Sequence, residues 1–279
     1  MSAASSASNG PLILGASGRV GRMFRHLAGA GLWPGPSPLF HSRTGDGQDY
    51  AWDMDGPAPR DDRLALAGGM IVLAGETAGT GDTNTRMARA ALTLARREGI
   101  APVLLSSSQA VYGRAPGPSA EGDAAHPATP YGHAKLAMER AVSGSGACCV
   151  RMANVAGADM LLTNAAAGPV TLDRFADGGG PRRRYVGPVT LAWVLVALIA
   201  HRGALPPVLN VAAPGLLRME DLLKAAKASH DWRPAPEGAL AVLDLDTSML
   251  GSLMEVPLAT GVPTCLIAEA HLAGWRAAS

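Results

Sequence analysis

Apolar runs and amphipathic stretches alternate along this chain. Short apolar runs predict buried strands, whereas stretches with an apolar residue every three or four positions predict helices. Because strands alternate with helices, the pattern indicates an α/β fold, a parallel sheet covered by helices on both faces. The strands are predicted near residues 11–15, 37–41, 51–53, 70–75, 101–107, 147–152 and 207–211, and the helices near residues 19–31, 80–99, 130–143, 190–202, 218–229 and 264–276.

The composition is that of a globular protein with balanced charge. The chain has 279 residues, of which 48% are hydrophobic, enough for a sizeable core. Its 24 Lys and Arg residues and 23 Asp and Glu residues give a net charge of +1, so no electrostatic argument for binding nucleic acid or an anionic membrane follows. The longest apolar stretch, Leu191 to Ala200, is about half as long as a membrane-spanning helix and is predicted to be a core helix.

Cysteine usage and the amino terminus favour a reduced, cytoplasmic protein. The three cysteines, of which Cys148 and Cys149 are adjacent in a predicted strand, indicate neither a disulfide framework nor a zinc site, and no other metal site is predicted. Residues 1–10 are rich in Ser and Ala and have neither a cationic start nor an apolar run. They are predicted to be a flexible tail rather than a signal peptide.

A glycine turn follows the first predicted strand, with a helix expected from Arg19 onward. Gly15 permits a tight turn, Gly18 lets backbone approach a pyrophosphate, and Gly21 allows helix and strand to pack closely. The pyrophosphate would lie at the amino terminus of the helix, where free N–H groups and the helix dipole attract it. The other residues of this predicted binding turn are Ser17, Arg19 and Val20.

The second predicted strand bears on the choice of dinucleotide. It ends in Ser42 and Arg43, where an NAD-binding protein would place Asp or Glu for the ribose hydroxyls. Arg43, helped by Arg22, would instead pair with a 2′-phosphate, because a guanidinium matches phosphate geometry. The sequence therefore favours NADP(H), with NAD(H) as the alternative. If Arg43 is instead a solvated loop residue, it gives no preference between NADP(H) and NAD(H).

Two polar segments carry the candidate chemistry. Tyr131 and Lys135 are four apart on a predicted helix, so the ammonium can lie beside the phenol and lower its pKa. A phenol normally loses its proton near a pH of about 10, and a neighbouring cation makes it a usable acid and base nearer neutrality. Ser108 follows the strand predicted at 101–107, and its hydroxyl would hold a substrate oxygen across from Tyr131. These segments together predict hydride transfer.

The glycine turn, Ser108 and the Tyr131/Lys135 helix together resemble the extended short-chain dehydrogenases/reductases, the NAD(P)-dependent epimerase/dehydratase family. The resemblance runs from about Leu12 to Asn154 and continues more thinly to about Leu250. It implies a Rossmann-type doubly wound parallel sheet. It also implies that Tyr131 exchanges a proton with the substrate oxygen, that Ser108 holds that oxygen, and that Lys135 binds the nicotinamide ribose.

The same resemblance implies further cofactor contacts. Asp53 and Met54 resemble the family's acidic adenine contact, the stretch from Met70 to Gly75 resembles its fourth strand, and Asn84 falls where the family has an Asn. The cofactor-binding set implied in this way comprises Gly15, Ser17, Gly18, Arg19, Val20, Gly21, Ser42, Arg43, Asp53, Met54, Leu73, Ala74, Gly75, Asn84, Tyr131 and Lys135.

Departures from the family narrow the expected function. Sugar-nucleotide dehydratases of the family follow their Ser or Thr with Asp-Glu, whereas Gln109 and Ala110 stand here and cannot shuttle a proton. The stretch between Asn154 and Arg183 is shorter than expected for a sugar-nucleotide epimerase. Arg183 resembles the Arg that grips a nucleotide diphosphate, but residues 182–184 equally fit a solvated surface loop. The candidate substrate residues are Gln109, Asn154 and Arg183.

A shortened substrate region predicts a small substrate. The leading hypothesis is an NAD(P)-dependent, preferably NADP(H)-linked, oxidoreductase acting on a sugar-like or other small carbonyl or alcohol. A nucleotide-sugar epimerase with tightly held NAD comes second, and a non-catalytic cofactor-binding regulator third. Residues 11–155 are expected to form the NAD(P)-binding Rossmann domain, and residues 156–279 a small, reduced substrate lobe interleaved with a further Rossmann strand and helix. The family often pairs through two long helices, so a homodimer is expected.

Overall fold

The computed structural model describes residues 10–45, 47–76, 82–114 and 117–277. The strands in these ranges are β1 (Leu12–Leu14), β2 (Leu39–Ser42), β3 (Tyr50–Ala51), β4 (Met70–Val72), β5 (Val103–Ser108), β6 (Pro118–Ser119), β7 (Cys148–Met152), β8 (Asn154–Val155), β9 (Val170–Arg174), β10 (Arg182–Val186), β11 (Val208–Val211), β12 (Leu216–Arg218), β13 (His230–Pro234) and β14 (Val242–Leu245). The α-helices are α1 (Arg19–Gly29), α2 (Thr83–Glu98), α3 (Pro130–Ala141), α4 (Met160–Ala165), α5 (Pro188–Ala200), α6 (Met219–Ala225), α7 (Ser248–Leu253) and α8 (Pro263–Leu272).

The main sheet has seven parallel strands in the order β11-β7-β5-β4-β1-β2-β3. The chain runs outward from β1 through β2 to β3, and then crosses to β4 on the other side of β1. Ligands of open α/β sheets bind in the crevice at such a reversal, outside the carboxyl ends of the strands. The doubly wound parallel sheet expected from the sequence is confirmed.

Apolar layers cover both faces of this sheet. Successive strand residues point to opposite faces, so Leu12 and Leu14 belong to one layer and Ile13 to the other. Helices α1, α5 and α8 contribute to the layer that contains Ile13, whereas α2 and α3 contribute to the opposite one. The apolar stretch from Leu191 to Ala200 lies in α5 as a core helix, as predicted. None of the described helices is long and apolar enough to cross a membrane.

The remaining strands form smaller sheets that the hydrophobic pattern did not predict. Strands β12, β10, β14 and β6 pair in that order, β8 pairs with β10, and β9 pairs with β13. These strands are short, and several carry charged residues, so they give no continuous apolar run. Residues 1–9 of the predicted tail lie outside the described residues, and Gly10 is buried against the backbone of Ser37.

Candidate active site

The glycine turn lies between the carboxyl ends of β1 and β4. Gly15 has a φ of +86°, and a Cβ there would lie 2.4 Å from the backbone nitrogen of Ala74. A Cβ on Gly21 would lie 2.5 Å from the Cα of Ala16, so helix and turn could not pack as they do. At Gly18 a Cβ would lie 3.3 Å from the carbonyl oxygen of Gly15, and Ser17 and Gly18 are exposed at the start of α1. The turn is therefore tightly packed against β1 and β4 and exposed where the helix begins.

His41 holds this turn from the neighbouring strand. The backbone N–H of Gly15 donates to His41 Nδ1 at 3.1 Å, and Nε2 of the same ring lies 2.8 Å from the carbonyl oxygen of Trp52. Burial lowers the pKa of His41, so the ring is neutral and donates its Nε2 proton to Trp52. The sequence analysis missed His41, since a single His inside an apolar strand gives no signal of such a contact.

The end of β2 carries no acidic side chain. Ser42 is buried, and its hydroxyl accepts a hydrogen bond from Gly45 at 3.1 Å, whereas Arg43 is exposed. Further along the chain, Asp53 is exposed and Met54 is buried. Arg43 is therefore accessible to a ligand, whereas the Ser42 hydroxyl already accepts a hydrogen bond within the protein.

Asn84 and Lys135 surround the backbone that follows β4. A Cβ on Gly75 would lie 2.2 Å from Asn84 Oδ1 and 3.3 Å from Lys135 Nζ. The Asn84 amide is buried, accepting from the N–H of Glu76 at 3.1 Å and donating to its carbonyl at 3.2 Å. The adjoining Leu73 and Ala74 both donate their backbone N–H groups to Leu14. Lys135 thus lies beside the same sheet edge as the glycine turn.

The structure brings Ser108 and Tyr131 together. Ser108 ends β5, and its hydroxyl accepts from the N–H of Ala110 at 3.2 Å. Tyr131 lies in the first turn of α3, which begins at Pro130 because the Thr129 hydroxyl caps it by accepting from Gly132 at 3.1 Å. The Ser108 hydroxyl lies close enough to the Tyr131 phenol to lower the pKa of the phenol.

Burial dominates the electrostatics of the Tyr131/Lys135 pair. It raises the pKa of Tyr131 above its ordinary value, against smaller lowering effects of Ser108 and of the Arg19 charge. Burial lowers the pKa of Lys135 to about 8, against the raising effects of Cys149 and Glu139. The predicted lowering of the Tyr131 pKa by Lys135 is therefore wrong for this structure. Lys135 Nζ lies 5.9 Å from the centre of the Tyr131 ring and donates to the carbonyl of Ser106 at 2.8 Å.

A buried polar network adjoins the Tyr131/Lys135 pair one helical turn further along α3. Glu139, one helical turn after Lys135, accepts hydrogen bonds from the Ser107 hydroxyl and from Arg151, whose Nη2 is 2.7 Å away. The Arg151 guanidinium also lies 4.7 Å from the centre of the Tyr112 ring, and Tyr112 donates to Asn210 at 2.8 Å. The sequence analysis gave Glu139 no role, because its partners are distant in the chain.

The candidate substrate residues lie on adjoining elements. Gln109 is buried directly after Ser108, and its Nε2 donates to Asn154 Oδ1 at 2.9 Å. Arg183 lies in β10, so the surface-loop interpretation of residues 182–184 is wrong. Its guanidinium donates to the carbonyls of Leu240 at 2.7 Å and Ala241 at 3.2 Å, and burial lowers its pKa. Within the described ranges, no carboxylate lies within salt-bridge distance of Arg183.

Residues 64–187 match the model of the NAD dependent epimerase/dehydratase family. This stretch of the chain is similar to that family and contains Ser108, Tyr131 and Lys135. The match begins after the glycine turn, so it says nothing of the turn itself. It agrees with the family resemblance recognised in the sequence.

Solved structures of low sequence identity share the fold of this chain. The UDP-Glc/GlcNAc 4-epimerase of Campylobacter jejuni is 16% identical with a TM-score of 0.76, over 95% of this chain and 99% of that chain. UDP-glucose 4-epimerase of Bifidobacterium longum, in complex with NAD+ and UDP, is 18% identical with a TM-score of 0.74, over 95% and 97%. MoeE5 in complex with UDP-glucuronic acid and NAD is 19% identical with a TM-score of 0.73, over 95% and 98%. No curated protein matches the sequence.

Proposed function

We propose that the protein is an NADP(H)-linked oxidoreductase that moves hydride between nicotinamide and a sugar-like or other small alcohol or carbonyl. The observation that carries this proposal is the interaction between the Ser108 hydroxyl and the Tyr131 phenol, next to Lys135 and at the sheet edge that carries the glycine turn. The proposed catalytic side chains therefore lie at the same sheet edge as the glycine turn proposed to bind the dinucleotide.

The glycine turn, the start of α1 and the end of β2 fit a dinucleotide. The exposed start of α1 at Gly18, with Ser17, Arg19 and Val20 around it, would hold the pyrophosphate. Arg43 is exposed at the end of β2 and would hold a 2′-phosphate, which supports NADP(H). NAD(H) stays the alternative, because similar folds were solved with NAD. The other contacts proposed for the dinucleotide are Gly15, Gly21, Ser42, Asp53, Met54, Leu73, Ala74, Gly75, Asn84, Tyr131 and Lys135.

Two side chains of the protein act on the substrate oxygen. The dinucleotide supplies or accepts the hydride when bound. Tyr131 exchanges a proton with the substrate oxygen, and Ser108 positions that oxygen by a hydrogen bond. Lys135, whose pKa is lowered to about 8 by burial, is still mostly protonated near neutral pH and would bind the nicotinamide ribose.

A polyhydroxylated substrate fits the polar groups beyond Ser108. Gln109 and Asn154 present amides there, and Arg183 brings a cation that donates to backbone carbonyls. A nucleotide-sugar epimerase is the second candidate, because structures of similar fold hold UDP-sugars and are matched over almost their whole length. Arg183 would then release its carbonyls and bind the diphosphate. Pairing of two copies through two long helices stays a prediction.

Replacement of Tyr131 by Phe tests the proposal. The wild-type protein is expected to change NADPH absorbance with at least one member of a panel of sugars, sugar lactones and UDP-sugars. Y131F is expected to lose at least about a hundredfold in kcat, since general acid–base catalysis contributes that much, while its affinity for NADPH changes little. A non-catalytic regulator would show no Tyr131-dependent turnover, and the substitution would leave its NADPH binding unchanged.

A matched control removes a phenol hydroxyl elsewhere. Tyr50 is buried in the edge strand β3, and its hydroxyl donates to the carbonyl of Pro59 at 2.9 Å. Y50F should keep the activity of the wild type. Tight UDP-sugar binding with interconversion of C4 epimers, and no net change of NADPH, would replace the leading proposal by the epimerase.

A further inference from the structure

Gln109 carries a buried hydrogen-bond acceptor without a partner. The residue is only 3% exposed, and its Oε1 has no hydrogen-bond partner in the described part of the chain. Buried amide oxygens in folded proteins are almost always satisfied, so a group of this kind calls for an explanation such as a ligand or an ordered water. The Gln109 side chain is also the first one after the catalytic Ser108.

The orientation of this amide is set by its other end. Gln109 Nε2 donates to Asn154 Oδ1 at 2.9 Å. Asn154 is itself held, because β8 pairs with β10 and the Asn154 side chain interacts with the fully buried Tyr185 phenol. Tyr185 in turn donates to Asp159 at 3.3 Å. The nitrogen end of Gln109 is therefore engaged on the β8 side, and the oxygen end is left for another donor.

We propose that Oε1 of Gln109 accepts a hydrogen bond from the substrate hydroxyl on the carbon next to the reacting carbon. This inference rests on the proposed function, because it places the reacting oxygen at Ser108 and Tyr131. Gln109 then selects vicinal diols and α-hydroxy carbonyls over compounds that lack the second hydroxyl. A primary amide is far too weak an acid to protonate a hydroxyl, so it holds that hydroxyl by a hydrogen bond and leaves the C–O bond intact.

Paired substrates test the selection. The pairs are cyclohexane-1,2-diol with cyclohexanol, D-glucose with 2-deoxy-D-glucose, and UDP-glucose with UDP-3-deoxyglucose, each assayed for cofactor reduction and for epimer formation. For any pair that is turned over, the wild type is expected to favour the hydroxylated member by about ten- to a hundredfold in kcat/KM, as a lost partner of a buried acceptor predicts.

Three variants complete the experiment. Q109M has a similar size but no acceptor, and its preference should fall below about threefold, mainly through slower turnover of the hydroxylated member. Q109E keeps an acceptor oxygen and should keep the preference if Q109M fails to fold. The exposed Gln48 offers the matched control, and Q48M should leave the preference unchanged.

The outcomes separate this inference from the proposed function. Equal turnover of both members of a pair by the wild type overturns the role of Gln109 and leaves the proposed function standing, and this result needs no variant. A preference that survives in Q109M also overturns it and points to water as the partner of Oε1. Absence of any Tyr131-dependent turnover across the panel overturns the proposed function, and the inference with it.

Discussion

Gly132 lies directly against Ala110: a Cβ on Gly132 would stand 2.4 Å from the carbonyl oxygen of Ala110. Ala110 belongs to the turn that follows Ser108, and Gly132 follows Tyr131 in the first turn of α3. Only glycine lets the helix come this close to the turn. The distance between the Ser108 and Tyr131 hydroxyls therefore depends on a residue that has no side chain.

Substitution of Gly132 by Ala should cost activity more than stability. Alanine favours the helix by roughly 1 kcal/mol over glycine, which offsets part of the clash with Ala110. The helix must still move away from the turn, and a shift of about 1 Å between catalytic groups can cost about a hundredfold in rate. We expect G132A to lose at least about tenfold in kcat, measured by NADPH absorbance with the best substrate of the panel.

Gly29 provides the control for this prediction. It lies at the end of α1, and a Cβ there would meet nothing within 4 Å. G29A should keep full activity and be as stable as the wild type or slightly more stable. Full activity of G132A would show that the position of α3 does not set the geometry of Ser108 and Tyr131.

The main sheet was predictable because its strands are apolar runs that need no partner to be recognised. Strand β10 was not, since Arg182, Arg183 and Arg184 hide it and its stability comes from pairing with β12 and β14. The sequence singled out Tyr131 and Lys135 because their four-residue spacing on a helix is local, and Ser108 because it follows a strand. His41 and Gly132 were missed because each acts on a segment distant in the chain, and the pKa of Tyr131 was misjudged because sequence does not give the depth of burial.

Loss of the Glu139 carboxylate should destabilise the fold strongly. Its ion pair with Arg151 has side-chain exposures of only 5% and 6%, so E139Q leaves a guanidinium buried without a counter-charge. Removal of one partner of a buried pair typically costs about 3–5 kcal/mol. Urea denaturation near neutral pH measures the free energy of unfolding, which we expect to fall by about 3 kcal/mol or more.

An exposed ion pair calibrates that measurement. Asp55 and Arg86 lie 2.9 Å apart with side chains about half exposed, at 53% and 47%. Such pairs contribute about 0–1 kcal/mol, so D55N should change stability little. A loss in E139Q as small as that in D55N would contradict the structural role of the buried pair.

Arg43 should decide between the two dinucleotides. If its guanidinium binds the 2′-phosphate, R43A loses a charged hydrogen bond worth about 1.5–3 kcal/mol, or about ten- to a hundredfold in affinity for NADPH. The affinity for NADH, which lacks that phosphate, should change little. Calorimetric titration of both dinucleotides measures this, with R60A as an exposed arginine control. Equal effects on the two dinucleotides would remove the basis for preferring NADP(H).

The buried thiols of Cys148 and Cys149 should make the protein sensitive to alkaline pH. Burial raises the pKa of each to about 12, from 9.0. Between these values the unfolded chain releases protons that the folded chain retains, so stability is fully present below pH 9 and falls as the pH rises, by up to about 1.4 kcal/mol per pH unit for each thiol. Lys135 acts in the opposite sense, since its pKa is lowered from 10.5 to about 8 and the folded chain loses its proton first.

The two thiols outweigh the single lysine, so the free energy of unfolding of the reduced wild type should fall by about 1 kcal/mol between about pH 8.5 and about pH 10. Replacement of both cysteines by alanine removes the part of the fall that the two thiols cause, about 1.2 kcal/mol each, so the change in the double variant should be more positive than in the wild type by about 2.5 kcal/mol. Cys265, which is only half-buried, supplies the control, and C265A should keep most of the fall. Urea denaturation under reducing conditions at the two pH values measures the free energy of unfolding. An unchanged fall in the double variant would exclude the thiols as its cause.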